Sequence, residues 1–127
     1  MTQTPGASHV LIVEDHPDGA DTLAQVLRLV GHAVRVARTP EEAVRVIGGF
    51  TPDAVLMDIG LPGLDGYRLA ERLCRALGRR PLLVAVTGYP RLADQSRDEG
   101  FDHHFEKPVD PAALVAVLAA RAGSPAT

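Results

Sequence analysis

A single cysteine, Cys74, stands among 127 residues, so no internal disulfide can form and a reducing compartment is expected. Lysine is almost missing: of 13 basic residues, 12 are Arg, and Lys107 is the one Lys. Against 16 acidic residues this leaves a net charge of −3, with no basic field to hold nucleic acid or an anionic membrane. No apolar run approaches the roughly 20 residues that span a bilayer. The opening MTQTPGAS lacks both the positive charge and the apolar stretch of a secretory leader. Together these absences predict a cytoplasmic protein that binds neither nucleic acid nor membrane.

What is present is an ordinary globular composition, 46% apolar and 23% charged, in a length that suits one domain with one core. Strand and helix patterns alternate five times. The predicted strands are 9–13 (HVLIV), 33–37 (AVRVA), 54–58 (AVLMD), 82–87 (LLVAVT) and 103–106 (HHFE). The first helix runs from Pro17 to Val30, with Leu23, Val26, Leu27 and Val30 on one face, and stops at Gly31. Thr39-Pro-Glu-Glu opens the second helix as an N-cap, N1 proline and capping box. The third starts near Asp65 with Ala70, Leu73, Cys74 and Leu77 aligned. A fourth spans Arg91 to Glu99, where only Leu92 and Ala93 are apolar, and Asp110-Pro-Ala-Ala opens a last helix that is apolar nearly all round. Residues 8–122 read as the domain, 1–7 as a flexible lead and 123–127 as a tail.

Five strands alternating with helices imply crossovers, a parallel doubly wound sheet and helices on both faces. Near-continuous apolar strands fit a sheet covered on both sides. In such folds ligands sit beyond the carboxyl ends of the strands. Strand one ends in Glu14-Asp15, strand three in Asp58, strand four in Thr87 and strand five in Lys107-Pro108. Three carboxylates on one edge repel, so they take up protons or recruit a cation, and all-oxygen ligands with room for water suit Mg²⁺. A chain that otherwise uses Arg places its one compact ammonium facing them.

This set (Glu14-Asp15, Asp58 within MDIGLPGLDG, Thr87-Gly88 and Lys107-Pro108) resembles the receiver domain of two-component response regulators, over nearly the whole chain. The resemblance implies a flavodoxin-like (βα)5 fold with strand order 2-1-3-4-5. It implies Asp58 as phosphoryl acceptor from a sensor histidine kinase or phosphotransfer protein. Mg²⁺ would be held by Asp15, Asp58 and the Gly60 carbonyl, with Glu14 acting mainly through water. Thr87 would hydrogen-bond the phosphoryl group, Lys107 would neutralise it and pair with Asp58 beforehand, and the Lys107–Pro108 bond would be cis. Gly60, Pro62, Gly63 and Gly66 would shape the loop beside the acid, and Gly60 and Tyr89 would flank the approach of water. Such a domain is a signalling module, with at most self-phosphorylation and self-dephosphorylation as chemistry.

Simpler and rival accounts are weaker. Glu14-Asp15 alone suits a turn before a helix N-terminus, where acids are favoured anyway. His103 and His104 point to opposite faces of a strand and are badly placed to share a metal. A haloacid-dehalogenase-type phosphatase wants an acid two residues after its nucleophile, where Gly60 stands, and a flavodoxin-like carrier would not put EDHPDG around a phosphate. A receiver-like module that only binds partners would have lost an acid or the lysine. A receiver piece of a hybrid kinase or larger regulator remains open. For output, the 91–99 helix is a candidate bistable element. Thr87 and His104 are the expected switch pair, with His104 standing where relatives carry Tyr or Phe. The fourth helix, fifth strand and last helix are the expected surface for a homodimer or output partner.

Overall fold

With twenty or so residues between successive strands there are no tight hairpins, so each strand returns by a crossover and pairs in parallel. The computed structural model, which describes residues 8–59, 66–88 and 100–123, has that arrangement. Its elements are β1 (His9–Val13), α1 (Pro17–Leu29), β2 (Ala33–Ala37), α2 (Pro40–Val46), β3 (Ala54–Asp58), α3 (Gly66–Leu77), β4 (Leu82–Thr87), β5 (His103–Glu106) and α4 (Pro111–Gly123). All strand pairs are parallel in one sheet of order β2-β1-β3-β4-β5, as the resemblance implied. The expected helix at 91–99, the loop residues Gly60, Pro62, Gly63 and Tyr89, and segments 1–7 and 124–127 lie outside the described residues.

Alternation along the strands sends successive side chains to opposite faces. Leu11, Val13, Val55, Met57 and Ala85 meet Ala43 of α2 and Leu69, Ala70 and Leu73 of α3 on one face. Val10, Ile12, Leu56 and Val84 meet Ala20, Ala24 and Leu27 of α1 and Leu114 and Leu118 of α4 on the other. β3 lies between them, buried at all five positions.

The buried face of α1 overlaps the predicted one without matching it: Leu27 is buried and Leu23 packs partly buried against the same cluster. Ala20, Ala24 and Leu27 reach the core, whereas Leu29 and Val30 are 86% and 43% exposed. Small alanines let the helix sit close to the sheet, and Val30 is already the C-cap. There the chain leaves through Gly31 at φ 101. His32 N–H to Leu27 O and Gly31 N–H to Arg28 O, both 3.0 Å, close a Schellman motif. α2 starts as predicted, with Glu42 N–H donating to Thr39 Oγ1 at 3.1 Å, although the Glu42 carboxylate accepts from Arg38 N–H rather than from Thr39. In α4 the outward positions Ala112, Ala116, Ala119 and Ala120 are exposed, so its apolar outer face is alanine and not a broad greasy surface. No helix among the described residues is long and apolar enough to cross a membrane.

At the amino ends of the strands, two aspartates tie neighbouring segments. Asp53 accepts from His9 N–H at 2.8 Å and from Arg79 at 3.4 Å. Asp102 accepts from Leu83 N–H at 2.8 Å and takes both its oxygens to Arg80 Nη1, at 3.0 and 2.9 Å. These contacts square off one end of the sheet and leave the carboxyl end for chemistry.

Candidate functional site

β3 carries Asp58 to the carboxyl edge with 5% of its surface exposed, and β1 leads directly to Glu14, 7% exposed. Two carboxylates this buried require a cationic or hydrogen-bonding partner. Lys107, the residue after β5, supplies it: Nζ lies 2.5 Å from Asp58 Oδ2 and 2.9 Å from Glu14 Oε2. The base of that side chain is tied to the end of β4. Lys107 N–H donates to Thr87 O at 2.8 Å, and the Lys107–Pro108 peptide is cis. Thr87 itself is wholly buried at the end of β4.

The electrostatics follow from one ammonium shared by two acids. Burial raises the Glu14 carboxyl above its ordinary value; Lys107 pulls it back, but the Asp58 charge adds to the rise. Burial alone would lower Lys107, yet the hydrogen bonds and charges of Asp58 and Glu14 outweigh it and hold the amine above its ordinary value. The ammonium is thus secure at neutral pH. Asp58, Glu14 and Lys107 together still leave one negative charge, and Asp15 adds another nearby.

Asp15 takes a different position from its neighbour. Its side chain is 47% exposed, with His16 Nε2 3.6 Å from Oδ1, while His16 N–H donates to Glu14 Oε1 at 3.2 Å. Among the described residues, Glu14, Asp15 and His16 form the group whose candidate ligand atoms all lie within 4.8 Å of one another. Asp58 is not part of that group; its Oδ2 pairs with Lys107 Nζ. Gly60 lies outside the described residues. The donor set is chiefly carboxylate oxygen with solvent access, which fits a hard divalent ion that keeps some of its water. His16 was not singled out from the sequence; its place directly after Glu14-Asp15 was the available signal. A cleft of about 590 Å³ opens beside these groups, lined by Glu14, His16, Asp58 and Lys107 together with apolar residues such as Leu23 and Val109.

The two expected switch residues share a sheet face. His104 is in register with Ala85, which belongs to the core cluster under α2 and α3, and Thr87 lies two residues further along β4 on the same side. Phe105 points the other way, packing against the α1 and α4 cluster. His103 and His104 are therefore on opposite faces, as the strand pattern predicts.

A model of the response regulator receiver domain matches residues 10–119. The sensor histidine kinase RcsC of Salmonella typhi is 35% identical over 112 residues, and this chain spans only 12% of its length. An uncharacterised 14.6 kDa protein from the sodA1 3′ region of Leptolyngbya boryana is 32% identical over 120 residues, 91% of each chain. Among solved structures, the receiver domain of sensor histidine kinase PA1611 from Pseudomonas aeruginosa PAO1 carries a magnesium ion coordinated in its active-site cleft. It matches with a TM-score of 0.79 at 30% identity, over 93% of this chain and 99% of that one.

Proposed function

The chain belongs to the response regulator receiver family, and from that premise we propose that it takes a phosphoryl group from a phosphohistidine onto Asp58. A carboxylate oxygen of Asp58 attacks phosphorus, the N–P bond breaks with its electron pair returning to imidazole, and an acyl phosphate forms. Phosphoryl transfer has a loose transition state, so what a protein contributes is position and charge neutralisation. The observation that carries this reading is the buried Asp58 carboxylate held by Lys107 at 2.5 Å on a rigid strand end. Lys107 then turns from carboxylate partner to phosphoryl partner, and the Thr87 hydroxyl donates to a second phosphoryl oxygen. Glu14, Asp15 and Asp58, with the Gly60 carbonyl, would hold Mg²⁺, which when bound supplies further neutralisation of the phosphoryl oxygens.

The donor in this reading is a sensor histidine kinase or phosphotransfer protein, and the output passes through Thr87 and His104 to a surface that includes β5 and α4. The match to a short stretch of the RcsC kinases favours a second arrangement, in which the same domain serves as one segment of a longer sensor kinase. Incubation with Mg²⁺ and acetyl phosphate tests the core claim. Intact mass should rise by one phosphoryl group in the wild type and stay unchanged in Asp58→Asn; a gain in both would place the acceptor elsewhere.

A further inference from the structure

We propose that the cleft between α1 and the lead-in to α4 is a subsite for the leaving group of a small phosphodonor, and that it selects donors with an apolar tail over compact ones. The inference rests on the reading of Asp58 as phosphoryl acceptor and adds what discriminates between donors. The cleft measures about 590 Å³ and is lined by Asp58 and Lys107 as well as by Ala20, Leu23 and Val109. Small-molecule sites span about 300–1,000 Å³ and combine a mostly apolar lining with a few polar groups. Strand alternation explains why apolar surface and reacting groups meet here. Ile12 and Leu56 belong to the core cluster under α1 and α4, and Phe105 packs against it. Glu14, Asp58 and Lys107 each follow one of these by two residues, so they continue the same face toward the carboxyl edge. Two extended residues span only about 6.6 Å, so apolar side chains stand directly behind the reacting groups.

The donor chemistry suited to this cleft is an acyl phosphate with an aliphatic chain. A carboxylate oxygen of Asp58 attacks phosphorus, the bond from phosphorus to the acyl oxygen breaks, and its electron pair leaves on the free carboxylate that bears the tail. No proton has to move. In-line transfer sets the leaving oxygen on the far side of phosphorus from the attacking one, and the tail beyond it lies against Leu23 of α1 and Val109 before α4. An acetyl group would leave most of that space to water. Gly19 holds one wall open. Glycine is a poor helix former, yet it stands here in the first turn of α1. At Gly66 close packing explains the choice, since an added Cβ would lie 2.9 Å from Ile59; at Gly19 an added Cβ would meet nothing within 4 Å. Packing therefore does not require this glycine, and it borders the cleft.

The test is phosphoryl uptake by the whole chain with Mg²⁺ and acetyl, butyryl or hexanoyl phosphate, followed by intact mass over time. A fully buried methylene is worth about fourfold, so the four that separate hexanoyl from acetyl should raise kcat/KM by at least about tenfold in a half-open cleft. Gly19→Leu fills the space with a better helix former, and Leu23→Gln makes the wall polar at similar size. In each, once thermal melting shows a folded chain, the hexanoyl-to-acetyl ratio should fall to within about twofold of one. Hexylphosphonate, which has no bond to break, gives a second readout: by calorimetry its preference over methylphosphonate should shrink in both variants. A flat series in the wild type, as expected of a cleft reserved for side chains of a docked kinase, would overturn the subsite. So would a tail preference that survives both substitutions. Uptake from acetyl phosphate without tail dependence sinks this inference alone. No uptake from any donor, with hexylphosphonate still bound more tightly than methylphosphonate, sinks the phosphoacceptor reading and leaves the apolar subsite standing.

Discussion

Asp58 and Lys107 stand 49 residues apart in sequence and 2.5 Å apart in space, Oδ2 to Nζ, with Glu14 Oε2 on the same ammonium at 2.9 Å. This triple contact makes Glu14 the strained member. Its carboxyl is raised above the ordinary 4.5, first by burial and then by Asp58. A raised carboxyl contributes stability that is complete below 4.5 and is lost as pH rises through the folded value. Glu14→Gln keeps the shape, removes the charge and can donate to Asp58. Thermal unfolding should therefore show a higher Tm for the variant at pH 7.5, and a difference that shrinks toward zero near pH 4.

A second titrating group, with a pH dependence of opposite sign, lies at the other end of the sheet. His32 is buried, and its Nδ1 accepts from Ser8 N–H at 2.9 Å, a bond that requires an unprotonated nitrogen. Burial holds the ring below its ordinary 6.5. Below that value the unfolded chain protonates first, so stability falls with falling pH and is whole above it. Between pH 7.5 and 5.5 the Tm should drop more in the wild type than in His32→Gln; parallel curves would remove His32 from the account.

Much of this was legible in the sequence because strand ends are. A parallel sheet sets the last residue of each apolar run on one edge, so Glu14, Asp58, Thr87 and Lys107 could be gathered before any coordinate was known. Their order of burial could not. Which of two adjacent acids, Glu14 or Asp15, turns inward depends on how the chain leaves β1 for α1, and that is settled by tertiary packing. The buried face of α1 was read only in part, with Leu23 and Leu27 but not Ala20 and Ala24, for a related reason: hydrophobic periodicity favours large side chains, while close packing on the sheet selected the two alanines. Gly66 read only as one of the residues shaping the loop beside the acid, because close approach leaves no mark in a sequence.

That approach makes Gly66 a sensitive position. A Cβ there would stand 2.9 Å from Ile59 Cγ2 and 3.4 Å from Met57 Sδ, against the residues on either side of Asp58. Gly66→Ala should cost about 1–3 kcal/mol, the usual range for overpacking. Denaturant unfolding should show Ile59→Ala relieving part of it, so that the double variant loses less than the sum of the singles. Strict additivity would mean the helix shifts instead.

Two ion pairs of similar length should differ in worth. Arg75–Glu71, at 2.8 Å, joins two side chains more than 70% exposed on one helix, and Glu71→Ala should cost no more than about 0.5 kcal/mol. Asp102 pairs with Arg80 and also accepts Leu83 N–H while giving its own N–H to Leu83 O. Asp102→Ala removes an acceptor that joins β4 to the start of β5. Its expected cost is about 1.5 kcal/mol, the low end for a charge-assisted hydrogen bond because the residue is partly exposed. Equal effects in chemical denaturation would argue that the β4–β5 junction does not depend on this carboxylate.

Lys107→Arg separates charge from shape. The chain uses arginine at every other basic position, so composition alone would accept it here. Geometry does not: a compact Nζ reaches Asp58 and Glu14 at 2.5 and 2.9 Å from a root tied to Thr87 O. A planar guanidinium is larger and donates in a fixed fork, so it cannot occupy the same point between two buried oxygens without pushing one aside. Fold stability should change little, since the positive charge remains beside both acids. Phosphoryl uptake from acetyl phosphate with Mg²⁺ should slow by about 10²–10³-fold, the effect of losing one well-placed donor to a developing anionic oxygen. Lys107→Met removes the charge as well, so it should slow uptake at least as much and also destabilise the fold. If Lys107→Arg took up phosphate at the wild-type rate, any cation on that edge would do, and the position of Nζ would have no part in the reaction.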